Sequence, residues 1–270
     1  MMITNKRAFL AILVMGMVLA SCLKSKSNNN QNNPSAVAFI NVSPSMPSFK
    51  VLLDGDTVGT NANFPYMGYK FATGTTDSAL FYTPVYAGIH YIAFQDSTVD
   101  TIDYAAGNIQ FANNTKYSVY LFDTLNNYGL NAIQIQDSYD SIPLAVPTSA
   151  VRFLNFCPDS MGLDVTYNDT ILWYSNFLFI GNGSASAATL SQYTDLPAGR
   201  YVFNFFKYGT EGFIANSSGS GLINQPTVLP FDSVAIITQP QKAYTIMVSG
   251  FFDSTAGNPK AFRHFIVHMN

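Results

Sequence analysis

A chain of 270 residues is longer than one small sandwich needs and shorter than a large multidomain enzyme, so one or two domains are expected. Only 11% of its residues are charged, while 22 Phe and 16 Tyr supply a large core and, with the β-branched residues, favour strands over helices. Beyond residue 30, nine basic residues stand against 16 acidic ones, a net charge of about −7, and no Lys/Arg run is present to neutralise phosphates; this composition argues against nucleic-acid binding.

The first element is a leader. Lys6 and Arg7 precede the apolar run AFLAILVMGMVLA, which is too short to span a bilayer comfortably and has the order of a secretory signal peptide. Leu19, Ala20, Ser21 and Cys22 follow the pattern of the bacterial lipobox, which they resemble. The resemblance implies removal of residues 1–21, a diacylglyceryl group on the Cys22 sulfur, and a further acyl chain, such as palmitate, on the new amino terminus. Several chains, each buried methylene adding about 0.8 kcal/mol, hold a protein durably where one does not. Residues 22–34 then comprise the lipidated cysteine and LKSKSNNNQNNP, a polar stretch unable to bury itself and read as a flexible tether of roughly 20 Å. An outer-membrane lipid anchor is expected. The tether carries no acidic residue after the cysteine, and the choice between cell surface and periplasmic face stays open.

After the tether the chain says the same thing twice. At an offset of 114, Ser35/Ser149, Ala36/Ala150, Val37/Val151, Phe39/Phe153, Asn41/Asn155, Pro44/Pro158 and Val51/Val165 match without a gap. The echo continues in DTV (56–58) against DTI (169–171), YAGIHYIAF (86–94) against PAGRYVFNF (197–205), and KYSVYLF (116–122) against AYTIMVSGFF (243–252). This is a tandem duplication, with one domain at 35–143, a second at 149–270, and SIPLAVPT between them as a short, semi-rigid linker. Each copy has the size of an immunoglobulin-like sandwich. VAFINV and VRFLNF are mostly apolar runs stopped by Pro44 and Pro158, as buried opening strands would be. FKVLLDGDTV alternates up to DGD, a hairpin signal, and Ala-Gly at 87–88 and 198–199 introduces an alternating strand in each copy. The expected fold is all-β: two tandem immunoglobulin-like or prealbumin-like antiparallel β-sandwich domains.

The AVRFLNxxPD opening, the following DV strand, the PAGRY turn and the late YTIxVSG strand resemble domain of unknown function 4397, found singly or in tandem in secreted and lipid-anchored bacterial proteins. The resemblance covers nearly all of 35–270 and is better in the second copy. The first copy departs from it with Ser45 in place of Asp159 and with Ile89-His90 read as an insertion in the turn. That family has no established catalytic residues to carry over, so the resemblance implies architecture alone.

Candidate chemistry is sparse. His264 and His268 are the only close histidine pair, but in an alternating strand they stand about 13 Å apart, too far to share a metal. Cys157 is the one cysteine left after lipidation, aligned with Ser43 at a packing position, and is read as a buried inert thiol. Asp54-Gly55-Asp56 lacks the further oxygens of a calcium loop and reads as a turn. Glu211 is the only glutamate, so paired carboxylates of the glycosidase kind are unsupported. Trp173 and Tyr174 offer a stacking platform for a ligand, against the plainer reading that they fill the core.

One pattern stands above composition: Asp, then Ser or Thr, then Ala, Ile, Leu, Val, Met or Thr. It occurs ten times, with middle residues Thr57, Ser78, Ser97, Thr101, Thr124, Ser141, Ser160, Thr170, Ser233 and Ser254. It resembles the O-glycosylation sequon that one Gram-negative phylum uses on exported proteins, which would make these hydroxyls glycan acceptors and the chain a glycoprotein. Asp-Ser and Asp-Thr also favour turns leading into strands, and both readings stand. The sequence as a whole points to a non-enzymatic lipid-anchored envelope protein without cofactor or metal. Its expected role is binding or adhesion toward an extracellular glycan or protein through loops on a rigid scaffold, or else service as a structural accessory subunit of an envelope complex.

Overall fold

Strands form here wherever apolar and polar residues alternate between Gly, Pro and Asn turns. The computed structural model describes residues 33–44, 48–58, 67–68, 78–79, 82–96, 99, 102–124, 129–137, 139, 147–159, 162–168, 171–182, 187–209, 230, 232–252 and 262–269. The chain divides into Met1–Asn33 and Pro34–Asn270, and both copies of the repeat fall in the second part. Among the described residues no helix is long and apolar enough to cross a membrane. The leader, Cys22 and most of the 141–148 linker lie outside the described residues.

The first copy comprises β1 (Ser35–Asn41), β2 (Ser48–Leu53), β3 (Asp56–Thr57), β4 (Met67–Gly68), β5 (Ser78–Ala79), β6 (Thr83–Val85), β7 (Gly88–Asp96), β8 (Asp103–Phe111), β9 (Lys116–Thr124) and β10 (Gly129–Gln136). The second comprises β11 (Thr148–Phe156), β12 (Leu163–Tyr167), β13 (Ile171–Phe177), the short helix α1 (Ala187–Leu190), β14 (Thr194–Pro197), β15 (Gly199–Lys207), β16 (Asp232–Thr238), β17 (Ala243–Ser249) and β18 (Arg263–Met269).

Each copy folds as a two-sheet sandwich, and the strand order is the same in both. In the first, β10-β9-β1-β6 lies over β3-β2-β7-β8; in the second, β18-β17-β11-β14 lies over β13-β12-β15-β16. The pairings β1 with β9 and β11 with β17 are parallel, while the pairings within the outer sheets are antiparallel. Small devices repeat too. Asn41 and Asn155 each accept a hydrogen bond from the amide two residues on, Ser43 and Cys157, at 3.0 Å in both copies. The hydroxyls of Tyr117 and Tyr244 each accept from the amide five residues before, Ala112 at 3.3 Å and Gln239 at 2.8 Å. One sequence expectation is corrected: Gly88 faces Phe111 and Gly199 faces Thr238, so Ile89 and His90 occupy the places of Arg200 and Tyr201. The turn of the first copy therefore holds no insertion.

The nearly continuous apolar runs of β1 and β11 have a structural cause. Val37 and Phe39 point into the core of the first sandwich, while Ala38 and Ile40 point the other way. In β11, Val151 and Phe153 enter the second sandwich, and Ala150, Leu154 and Phe156 turn outward from it. The outward residues of both strands meet in a third core that also holds Tyr120, Phe122, Ile135 and Met247. The two inner sheets are thus buried on both faces, which is why they read as apolar runs rather than as alternation. α1 packs onto β10 at this third core through Leu190.

A buried ion pair lies in the same layer. Arg152 sits where the first copy has Ala38, and its Nη2 donates to Asp137 Oδ1 at 2.5 Å, the two side chains being 1% and 0% exposed. Arg152 Nε donates to Thr245 at 2.8 Å, and its guanidinium lies 4.8 Å from the Tyr193 ring centre. The other Asp137 oxygen accepts from Ser118 at 2.6 Å and Tyr82 at 3.0 Å. Burial works to lower the Arg152 pKa, but Tyr193 and Asp137 outweigh it and hold the group above its ordinary value, so it stays charged.

The DGD signal is a two-residue hairpin turn, with Leu53 facing Asp56 and with Asp54 and Gly55 at φ 53° and 90°. Asp54 accepts from the Tyr91 amide at 2.9 Å and is bonded to His90 Nδ1 at 2.7 Å. Partial burial works to raise its pKa, but these two bonds outweigh it and leave the carboxyl below its ordinary 3.8. The stability Asp54 contributes is therefore full above about pH 4 and is lost as pH falls through the lowered value. Asn168 holds the equivalent place in the second copy at φ 50°, with Oδ1 accepting from the Val202 amide at 3.4 Å. Asp54→Asn is accordingly expected to fold normally and to flatten the acid limb of a plot of melting temperature against pH. An unchanged limb would show that the carboxylate contributes nothing.

Candidate binding cleft

The strand order leaves β8 and β10 as edge strands on the same side of the first sandwich, one in each sheet. Between them opens a cleft of about 470 Å³, a volume in the range of small-ligand sites. Its floor is apolar, made by Ile92 and Phe94 of β7 and Val119 of β9. Ala105, Gly107 and Ile109 project from β8, and Leu130, Ala132 and Gln134 share the facing side of β10.

The second copy shows what normally fills this place. By the strand registers, Gly107 corresponds to Val234, Ala105 to Asp232, Leu130 to Phe262 and Ala132 to His264. Each residue of the second copy is the larger of its pair. Asp232 and His264 clasp the two edge strands together, Oδ2 to Nδ1 at 2.7 Å and Oδ2 to the His264 amide at 3.1 Å. Phe262 stacks on Phe252 at 4.7 Å and reaches Phe205 in the core. In the first copy the clasp is replaced by two alanines, and a Cβ added at Gly107 would meet nothing within 4 Å. Gln134 Nε2 donates to the Gln110 carbonyl at 2.8 Å, tying the edges at one end.

The chemistry of the cleft is neutral. Among the described residues that line it none carries a charged, nucleophilic or imidazole side chain, and the polar ones are Asn108, Gln110, Asn131 and Gln134. These residues suit retention of an uncharged ligand, since a buried ionised group would find no charged partner among them.

The residues singled out by sequence lie elsewhere. Trp173 and Tyr174 come together because Leu172 faces Thr166 and Tyr174 faces Val165, which makes Trp173 the extra residue of a β-bulge. Their rings stack at 5.5 Å, and both meet Phe153 edge-on, at 5.0 and 5.8 Å. Half-buried, they pack against the core of the second sandwich. Cys157 is fully buried, and burial first, then Asp159 and Asp232, pushes its thiol up and away from the reactive thiolate. His264 and His268 lie on β18, with His264 bound to Asp232; no group of three metal-ligating side chains occurs among the described residues. Among the sequon hydroxyls, Thr57 and Ser233 are exposed, and Ser233 donates to Asn204 at 2.5 Å. Ser78 and Thr124 lie on β5 and β9, whereas Ser97, Thr101, Ser141, Ser160, Thr170 and Ser254 lie outside the described residues.

The cleft residues themselves escaped the sequence reading. Their signal was present: YAAGNIQF, set against DSVAIIT of the second copy, places small residues opposite larger ones. No family model and no curated protein matches the chain. Among solved structures it is similar to one described as "Alpha-glucan binding by a streptococcal virulence factor", at a TM-score of 0.21 and 8% identity, over 79% of this chain and 92% of that one. It is also similar to one described as "Alpha-glucan recognition by family 41 carbohydrate-binding modules from streptococcal virulence factors", at 0.22 and 11% over the same shares. TM-scores this low place no residue of this chain on a residue of theirs.

Proposed function

We propose that the protein is a non-enzymatic, lipid-anchored cell-envelope binding module that captures an extracellular glycan or protein in the cleft of its first sandwich. The observation that carries the reading is the paired difference between the copies: the same edge is filled and clasped by Val234, Asp232, His264 and Phe262 in one and left open by Gly107, Ala105, Ala132 and Leu130 in the other. Two sandwiches sharing a core supply the rigid scaffold that a binding surface needs. Cys22 and the tether after it hold the module to the outer membrane. A second reading, a structural accessory subunit, is favoured by the exposed apolar face of β7, where Ile89 and Tyr91 are 71% and 50% exposed beside Tyr86 at 53%.

Fractionation and binding test the proposal together. Native protein is expected with the outer membrane and the Cys22→Ala variant in the soluble fraction. Protein purified from membranes in detergent is expected to bind a member of an array of glycans and envelope proteins, and to lose that binding when Ala105→Asp and Ala132→His together rebuild the clasp. Binding that survives the double variant would place the site elsewhere and favour the β7 face.

A further inference from the structure

The clefts of the two copies differ in what fills them, and the edges beside the clefts differ in what pairs with them. β18, the edge strand of the second copy, is extended by β5, which adds to it in parallel with Val267 facing Ser78 and His268 facing Ala79. The corresponding edge of the first copy is β10, where Ile135 and Gln136 hold the places of Val267 and His268. Among the described residues no strand adds to β10; α1 packs on it at the face turned toward the third core, to which Leu190 and Ile133 both belong. The first sandwich therefore combines a strand edge with a row of side-chain vacancies, and in the second copy the vacancy is filled by side chains and the edge by a strand.

Resting on the cleft reading above, we infer that the occupant of the cleft is an extended, uncharged polypeptide segment of a partner protein, added in parallel to β10, with alternate apolar side chains seated over Gly107, Ala105 and Ala132. Backbone bonds along a sheet edge supply affinity in such an addition, and pockets for every second side chain supply selectivity. The neutral lining suits an uncharged segment, since a buried ionised side chain would find no partner among the described residues there. The second copy fixes the size: the missing volume is that of valine at Gly107 and of phenylalanine in place of Leu130, so aliphatic and aromatic side chains fit.

Fluorescence anisotropy on the membrane-purified protein tests this with three probes: a short labelled peptide alternating threonine with valine or phenylalanine, the same peptide N-methylated at every second amide, and neutral oligosaccharides. The expected result is binding of the first peptide, at least tenfold weaker binding of the N-methylated one, and at least tenfold loss in Gly107→Val and in the Ala105→Asp/Ala132→His pair. Thermal melts certify that both variants fold, as the space at Gly107 and the second copy's own clasp predict. Equal binding of the two peptides, or peptide binding indifferent to Gly107→Val, overturns strand addition. Oligosaccharide binding that Gly107→Val abolishes, with no peptide bound, overturns the inference but leaves the cleft as the ligand site. Any probe bound equally by wild type and both variants overturns the inference and the cleft reading together.

Discussion

Arg152→Ala is expected to lower the unfolding free energy by about 3–5 kcal/mol, because it strands the Asp137 carboxylate in a dry layer. That carboxylate is fully buried and, among the described residues, would keep the Ser118 and Tyr82 hydroxyls as its side-chain donors. For a chain of this size the loss corresponds to a fall in melting temperature on the order of 10 °C. The effect belongs to the uncompensated charge rather than to the pair as such, so removing both charges is the informative control. Arg152→Met with Asp137→Leu is expected to recover most of the stability, since replacing a buried ion pair by apolar groups of similar volume is often neutral or better. Urea unfolding of wild type, Arg152→Met, Asp137→Leu and the double variant closes the cycle. A loss below about 1 kcal/mol for Arg152→Ala would mean that the pair is solvated and that the layer holding it is not dry.

Phe153→Ala is expected to cost about 3–5 kcal/mol, and to unfold both sandwiches together. Phe153 meets Trp173, Tyr174, Phe203 and Phe205 within 6.1 Å, so its removal opens the centre of the second core. Whether the damage stays local depends on the third core, where Ala38, Ile40, Tyr120 and Phe122 of the first copy pack with Leu154, Phe156 and Met247 of the second. Trp173, the only tryptophan, reports the second sandwich, while circular dichroism reports both. The two signals are expected to fall in one coincident transition. The equivalent change in the first copy, Phe39→Ala, is expected to shift the Trp173 transition as well. Separate transitions would show that the copies are independent domains joined by contact without energetic coupling.

The all-β sandwich pair was legible because its determinants are local and repeated. Alternation around Val51 and Leu53, the Asp54-Gly55 turn and the glycines at 88 and 199 specify strands and hairpins within a few residues, and the second copy states them again. The burial of β1 and β11 was legible as well, in VAFINV and VRFLNF, but that both their faces are covered, and by what, was not. Two partners are consistent with a run of apolar residues, a helix or another sheet, and only the packing of one inner sheet on the other chose between them. Arg152 shows the limit plainly: inside AVRFLNF an arginine looks like an exposed interruption, and only the arrival of Asp137 from the end of the other copy makes it a buried cation.

The candidate site was less legible than the fold, for a reason of the same kind. Trp173 and Tyr174 drew attention as large aromatic residues, yet a bulge that depends on the register of β12 and β13 turns both toward Phe153. Gly107, Ala105 and Ala132 drew none, because an absence of side-chain volume is silent in a single strand. The sequence by itself determined the strands, their turns and the duplication, all of which follow from backbone preference and from the apolar pattern over short stretches. The tertiary structure alone decided the third core, the buried ion pair and the open edge, because each is a relation between residues of different strands, set by the registers of pairing and by which side chains then face one another.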